Sequence, residues 1–550
     1  MRRAKPYLIL FLITALFRIA TALPLEQAGY MDASYTIHVA ENLARGRGFV
    51  EDVLWNYLDN PAGLPHPSNL YWMPLPSLLV APLFALFGVS YRVAQIPFIL
   101  LSSLLPLFTF YVSRRILRRD DYAWAAALFT AFSGFYTIYW VSPDNFTPFA
   151  LTASACLFAI ARGVETKSAR WFLAAGILAA LSHLSRADGL LLLAVAPLAL
   201  LTPHVSRTTH PSTPLRSAQD ASRITHHVLR FTFYFSLGYL LLMAPWFLRN
   251  YLAVGAPYPS AGTKTLWLTG YDELFRYADD LTPQRYLAWG IGNIIESKAV
   301  AAARNLFIVT FADLQIFLAP FALIGLWQLR RRIEMLPFFV YAFLLYLVMT
   351  FVFTFPSWRG SMFHSAAALL PFLALAVPPG LDAAIHWIAR RRKTWDAAQA
   401  TRVFRSGFVA LAIFLAIFLY AQGVFPIGGG SSDIPLWNLR DAEYPAVAQW
   451  LDQNARAPFD DAQGDIVMTV DPPSFYNVSH RRAIVIPTDG VEAIFQAARR
   501  YGARYLVLQF DHPAPLDDLY HERTTIPGFE RVADFRDGNG RAVVLFEVMP

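Results

Sequence analysis

The chain has 550 residues, 56% of them hydrophobic and only 15% charged; soluble domains carry about 25% charged residues, so an ordinary soluble protein is excluded. The net charge of +7 lies in short basic clusters between apolar runs, as membrane topology requires, and no basic face alternates with stacking aromatics, which excludes nucleic acid as a partner. The one cysteine, Cys156, sits in an apolar run, so no disulfide forms within the chain and it reads as a small core hydrophobe.

A helix crossing the hydrocarbon core needs about 20 apolar residues. After Arg2, Arg3 and Lys5 the first run, 7–23, predicts a span. Ala20-Thr21-Ala22 faintly resembles a signal-peptidase site, but Arg18 inside the run and the many later spans favour an uncleaved helix. Further spans are predicted near 94–113, 122–140, 146–161, 170–184, 189–202, 231–248, 313–329, 336–355, 362–389 and 403–421, about eleven in all; 170–202 also reads as a re-entrant hairpin. The 74–89 run is placed flat at the interface, because a span there would put Arg114 to Arg119 opposite the N-terminal cluster.

Arg2 to Lys5, Arg114 to Arg119, Arg162 to Arg170, Arg207 to Arg230, Arg330 to Arg332 and Arg390 to Lys393 then share one side, which the positive-inside rule makes cytoplasmic. The first loop, 24–93, the 249–312 loop and the C-terminal part lie on the other side, so the N-terminus is inside and the C-terminus outside. The 203–227 loop, rich in Ser, Thr, Arg, His and Pro, reads as a disordered connector.

Residues 426–440, with Gly428-Gly429-Gly430-Ser431-Ser432, form a flexible linker. Beyond it, helices are predicted at 444–453 and 491–501 and strands at 466–470, 483–486, 505–508 and 543–546, a small α/β domain over 441–550. It contains no Gly-rich phosphate loop and no metal-ligand spacing. The expected fold class is therefore mainly α: a polytopic membrane helix bundle over 1–425 with a C-terminal soluble α/β domain.

The first outward loop is long and polar for a connector. Tyr30-Met31-Asp32-Ala33-Ser34-Tyr35 leads into Ala40-Glu41-Asn42-Leu43-Ala44-Arg45-Gly46-Arg47-Gly48, a short surface helix ended by Gly46. Asp32 can cap that helix or do chemistry. Later segments are Leu184-Ser185-Arg186-Ala187-Asp188-Gly189, then Pro245-Trp246-Phe247-Leu248-Arg249-Asn250 with Gly255 and Pro257, then Arg359-Gly360 with His364 and Pro371. Their order along roughly 1–390 resembles the GT-C class of membrane glycosyltransferases, nearest the protein O-mannosyltransferase and aminoarabinose transferase group (glycosyltransferase family 39). The sequence departs from that group at Asp32-Ala33, where many relatives have Asp-Glu. The second carboxylate is missing, and a divalent metal is left open without support.

The resemblance implies a bacterial or archaeal plasma-membrane enzyme of the cell envelope that takes sugar from a polyprenyl-phosphate donor on the extracytoplasmic side. An acceptor hydroxyl is a weak nucleophile that gains from a carboxylate base, here Asp32. The phosphate leaving group is already a stable anion and needs electrostatic stabilisation. Arg186, Arg249 and Arg359, at outer ends of predicted spans, are candidate phosphate clamps, although each also reads as a snorkelling anchor. Lys264 and His364 are weaker candidates, and Asp144 is a second outward acid that can seat the acceptor or orient Asp32. Asp188 reads as a cap, and Trp55, Tyr57, Tyr71 and Trp72 as an interfacial aromatic belt or as sugar-stacking rings. One carboxylate with cations implies inversion at the anomeric carbon. The acceptor is unidentified: protein, lipid or glycan. The competing readings are a transporter or flippase, which needs polar residues through the bilayer, and a non-catalytic scaffold of the same fold.

Overall fold

In the computed structural model, the chain is described at residues 4–202, 218–259, 261–353, 362–392, 394–425, 435–455 and 465–549. The first helices are α1 (Lys5–Ala22), α2 (Met31–Ala44), α3 (Leu75–Phe87), α4 (Tyr91–Leu117), α5 (Asp120–Ala131), α6 (Phe146–Thr166), α7 (Ala169–Ser185), α8 (Leu192–Leu201) and α9 (Ala218–Val254). After them come α10 (Ala261–Lys264), α11 (Pro283–Ala288), α12 (Ile291–Ile308), α13 (Ala319–Leu329), α14 (Leu336–Leu347), α15 (Met362–Ala366), α16 (Leu370–Ala389) and α17 (Ala397–Val424). Among the described residues, seven helices are long and apolar enough to cross a membrane: those at Lys5–Ala22, Tyr91–Leu117, Phe146–Thr166, Val228–Val254, Ile333–Val352, Leu370–Ala389 and Ala397–Val424. The other predicted spans are the shorter α5, α7, α8 and α13. The class is the expected helical membrane bundle.

Helix α6 runs through the middle of the bundle, against α4, α7, α8 and α14. Exposed apolar side chains lie on outer faces, such as Leu8, Leu12 and Leu16 of α1 and Phe414, Ile417 and Phe418 of α17. Two helix pairs touch backbone to backbone. An added Cβ at Gly176 of α7 would overlap the Phe235 carbonyl oxygen of α9, and one at Gly380 of α16 would overlap that of Phe321 of α13. Without a hydrophobic drive between helices in lipid, such close approach supplies packing.

The bundle has two chemically different ends. At one, Arg114 pairs with Asp120, Arg115 with Glu165, and Arg405 with Asp382 and Asp121. At the other, α2 and α3 pack on each other and on the start of α4 through Ile37, Ala40, Val80, Phe84 and Phe98.

Several predicted spans differ in detail. The 122–140 run stops as helix at Ala131 and continues as short 3-10 turns. Two carbonyls at this break are bonded from distant parts of the chain: Arg18 Nη2 of α1 donates to Ala131 O at 2.9 Å and Gln315 Nε2, in the turn before α13, to Phe132 O at 2.8 Å. Irregular backbone inside a bundle is stable when such partners satisfy it. The 249–312 loop contains the 18-residue helix α12, and α15 stands apart from α16.

Strands β1 (Val50–Glu51), β2 (Val53–Leu54) and β3 (His66–Pro67) belong to the first loop. The C-terminal part holds α18 (Tyr444–Asn454), β4 (Ile466–Thr469), α19 (Pro472–Ser479), β5 (Ala483–Val485), α20 (Val491–Tyr501), β6 (Ala503–Leu508), α21 (Asp517–Tyr520), β7 (Phe529–Arg536) and β8 (Ala542–Val548). Its sheet has the order β2-β5-β4-β6-β8-β7. Strands β2, β5, β4 and β6 are parallel, whereas β8 and β7 are antiparallel. Side chains alternate between two cores: Met468 and Leu506 pack toward α20, Val467 and Val507 toward α18. The edge strand β2 comes from the first loop, so the sheet extends beyond the 441–550 segment.

Replacing Gly380 by Leu should destabilise the purified protein by about 1–3 kcal/mol or more through overpacking. Gly407→Ala, where nothing lies within 4 Å of an added Cβ, should leave the melting temperature unchanged or raised. Thermal unfolding in detergent checks the contrast.

Candidate active site between the helices and the C-terminal sheet

Helix α2 begins after Tyr30, whose extended backbone makes it the N-cap; no side chain caps the helix. Asp32 therefore sits in the first turn without a capping role and lines a cavity of about 1380 Å³. The membrane helices form one part of its wall and the C-terminal domain another.

Asp144 precedes α6. It accepts from the Asn145 N–H at 2.5 Å and from Tyr30 OH at 3.0 Å. His364 of α15 stacks on Phe146, ring centroids 3.8 Å apart, with its Nδ1 2.7 Å from Asn145 Oδ1. Asp32, Asp144 and His364 each bring one ligand atom within 4.8 Å of the others. Arg186 follows α7. Its Nε donates to Asp188 Oδ1 at 2.8 Å, and its Nη1 lies 3.5 Å from Asn145 Oδ1. Asp188 also accepts from Ser365, so this acid anchors an arginine and a neighbouring helix.

Burial pushes the Asp32 carboxyl well above its ordinary range; the Asp144 charge adds to this and Arg186 opposes it. Asp144 is pushed up to about 6 by burial, against the Asn145 N–H, the Tyr30 hydroxyl and Arg186. Two like charges in one desolvated site do not ionise independently. The pair calls for a proton or a cation. Two carboxylates and an imidazole are a donor set that suits a divalent ion, so these residues fit one.

The other anticipated residues lie elsewhere. Arg249 donates to Phe49 O at 2.8 Å and packs over Trp246, tying α9 to the first loop outside the cavity lining. Lys264 is occupied by Asp279 at 2.6 Å and by Leu58 O at 2.8 Å. Arg359 lies outside the described residues. Trp55, Tyr71 and Trp72 line the cavity, with Trp55 and Trp72 stacked at 3.8 Å, whereas Tyr57 donates to Val485 O at 2.5 Å.

The sequence places the C-terminal domain over the face that holds Asp32, where it can help bind an acceptor, but singles out none of its residues. Arg440, Asp441 and Asp471 line the same cavity. Asp471 is pushed up to about 8 by burial and Asp441, and Asp441 up to about 6 by burial. No motif surrounds either acid; only tertiary folding brings them to Asp32.

The model of the family described as dolichyl-phosphate-mannose-protein mannosyltransferase matches residues 66–216. No curated protein matches the sequence significantly. ArnT from Cupriavidus metallidurans, solved bound to undecaprenyl phosphate, superposes with a TM-score of 0.54 at 14% identity, covering 99% of this chain and 98% of that one. Oligosaccharyltransferase AglB from Archaeoglobus fulgidus, solved with an inhibitory peptide and a dolichol-phosphate, gives 0.54 at 11% identity over 92% of this chain and 69% of that one. The resemblance drawn from the sequence holds: this chain has the fold of the GT-C membrane glycosyltransferases.

A carboxyl with a raised folded-state pKa holds its proton more tightly folded than unfolded, so its ionisation costs stability as pH rises through that value. Asp144→Asn should therefore stabilise the protein at pH 8 by up to about 3 kcal/mol and by about half as much at pH 5, which lies between the ordinary carboxyl range and the raised value. Melting curves at both pH values check this; destabilisation at pH 8 would show that a cation holds the pair.

Proposed function

We propose that the protein is an inverting glycosyltransferase that moves a sugar from a polyprenyl-phosphate donor to an acceptor hydroxyl or amine at the extracytoplasmic face. The observation that carries this reading is the composition of the cavity. Phe135, Phe307, Phe311, Met349 and Phe353 line its membrane side, and Asp32 and Arg186 stand in the same cavity. An isoprenoid tail needs the first set and a phospho-sugar the second.

In the reaction, ionised Asp32 takes the proton of the acceptor hydroxyl. The acceptor oxygen forms a bond to the anomeric carbon while the bond from that carbon to the phosphate oxygen breaks. The electron pair leaves with polyprenyl phosphate, and attack opposite the leaving group inverts the centre. Arg186, held by Asp188 and Asn145, stabilises the developing phosphate charge with a preorganised guanidinium. Asp144 and Tyr30 orient Asp32 and tune its proton affinity. Asp32, Asp144 and His364 would hold a divalent cation, which would supply further positive charge to the site.

The face is inferred from charge. Arg114 to Arg119, Arg162 to Arg170 and Arg390 to Arg392 gather at the end of the bundle away from Asp32, which makes that end cytoplasmic.

Transfer from radiolabelled polyprenyl-phosphate sugars in membranes tests this. Asp32→Asn should lose about 10²–10⁴-fold in rate, and Arg186→Ala should lower kcat and raise the donor KM. The rate should rise with pH through the raised Asp32 pKa, and Asp144→Asn should move that rise to lower pH. Full activity of Asp32→Asn would remove Asp32 from the base role. Unaltered protein that moves labelled donor across vesicles without transferring sugar would favour the flippase reading.

A further inference from the structure

The C-terminal wall of the cavity is made by one feature of its sheet. Strands β5, β4 and β6 are adjacent and parallel. The residues that follow each of them, Asp471 after β4, Thr488 after β5, and Gln509, Asp511 and His512 after β6, all line the cavity that holds Asp32. In open parallel sheets ligands bind beyond the carboxyl ends of the strands. The mechanism above uses none of these residues.

Their chemistry is dominated by oxygen acceptors. The Gln509 Oε1 is buried and has no partner among the described residues. Flat rings stand beside these acceptors. Phe510 is 54% exposed, with the Arg541 guanidinium 4.0 Å over its ring, and His512 lies against Tyr520 at 4.5 Å. The stacked Trp55 and Trp72 line the same cavity from the first loop. Ring faces next to carboxylate and amide oxygens match the two surfaces of a pyranose, its C–H face and its hydroxyl edge. An anionic acceptor would meet the lone pairs of Asp441, Gln509 and Asp511, whereas Arg440 already donates to Gly29 O at 3.0 Å. An extended peptide docks on a sheet edge. Here the edges are β2 and β7, and the cavity meets strand ends instead.

We propose that the carboxyl ends of β4, β5 and β6 form the acceptor subsite, and that the acceptor is an uncharged glycan whose hydroxyl is presented to Asp32. This rests on the transferase reading for its role, but the binding it asserts is measured without turnover.

The test is saturation-transfer NMR on the full-length protein in detergent, with maltotriose, cellotriose and chitotriose as probes and trilysine and glucose 6-phosphate as competitors. At least one neutral trisaccharide should bind. The double variant Gln509→Ala with Asp511→Asn should bind it about tenfold more weakly, the loss of one or two hydrogen bonds. Phe510→Ala, at an exposed ring, serves if the double variant does not fold. Neither competitor should displace the sugar. Binding of no trisaccharide, equal binding by the variants, or occupation by trilysine or the sugar phosphate would overturn the proposal. Donor turnover by the unaltered protein is scored separately: its absence removes the transferase reading and leaves the glycan-binding result standing.

Discussion

Val53 of the first loop pairs with Ala483 of the C-terminal sheet, and Leu54 with Ile484. Beside this splice, Ser34 Oγ of α2 lies 2.8 Å from Ser474 Oγ of α19, and Asn477 Nδ2 donates to Ser34 O at 3.0 Å. These polar contacts fix α2 between the bundle and the sheet, because an unmatched partner at a buried position such as the Ser34–Ser474 pair costs about 1–3 kcal/mol. Asp32 stands two residues from Ser34, so its position relative to both halves is set here. The C-terminal domain is thus part of the scaffold of the site. A membrane bundle alone would leave α2 half uncovered and β2 without a sheet.

The same seam explains the electrostatics. Asp32, Asp144, Asp441 and Asp471 converge from four separate stretches of chain and are all raised by burial. Such an arrangement opposes stability and persists where function uses it. Around Asp32 the consequence is a carboxyl whose proton affinity is raised first by burial and then by Asp144, and lowered by Arg186. Toward the membrane the cavity turns aromatic. Toward the sheet, carboxylate and amide oxygens stand among further rings. A donor with an isoprenoid tail and a polar acceptor would approach the reacting centre from opposite directions.

The fold class was legible because membrane spans are long apolar runs and the soluble strands are short β-branched ones. Hydropathy could not show that α5 ends at Ala131, since Phe132 to Val141 is also largely apolar; the break is stabilised by Arg18 of α1 and by Gln315 in a distant turn. Nor could it show β2, a two-residue strand whose partner lies in the C-terminal domain. For the site, Asp32 stood out in the long polar first loop and Asp144, Arg186 and His364 as polar residues near span ends, and they come together. Arg249 carried the same signal and Lys264 was a weaker candidate in the outer 249–312 loop, yet they bind loop carbonyls and an acid. A cation at a helix end looks alike in sequence whether it faces a ligand or a loop. The acids Asp441 and Asp471 carried no signal, because their meaning depends on which strand ends face the cavity.

The most direct test of the central claim is an experimental structure of the full-length protein with polyprenyl phosphate. The phosphate is expected against Arg186, on the far side of the reacting centre from Asp32, with the tail along Phe307 and Phe311. A phosphate bound at Arg249 or Lys264, or at the arginine-rich end of the bundle, would contradict it.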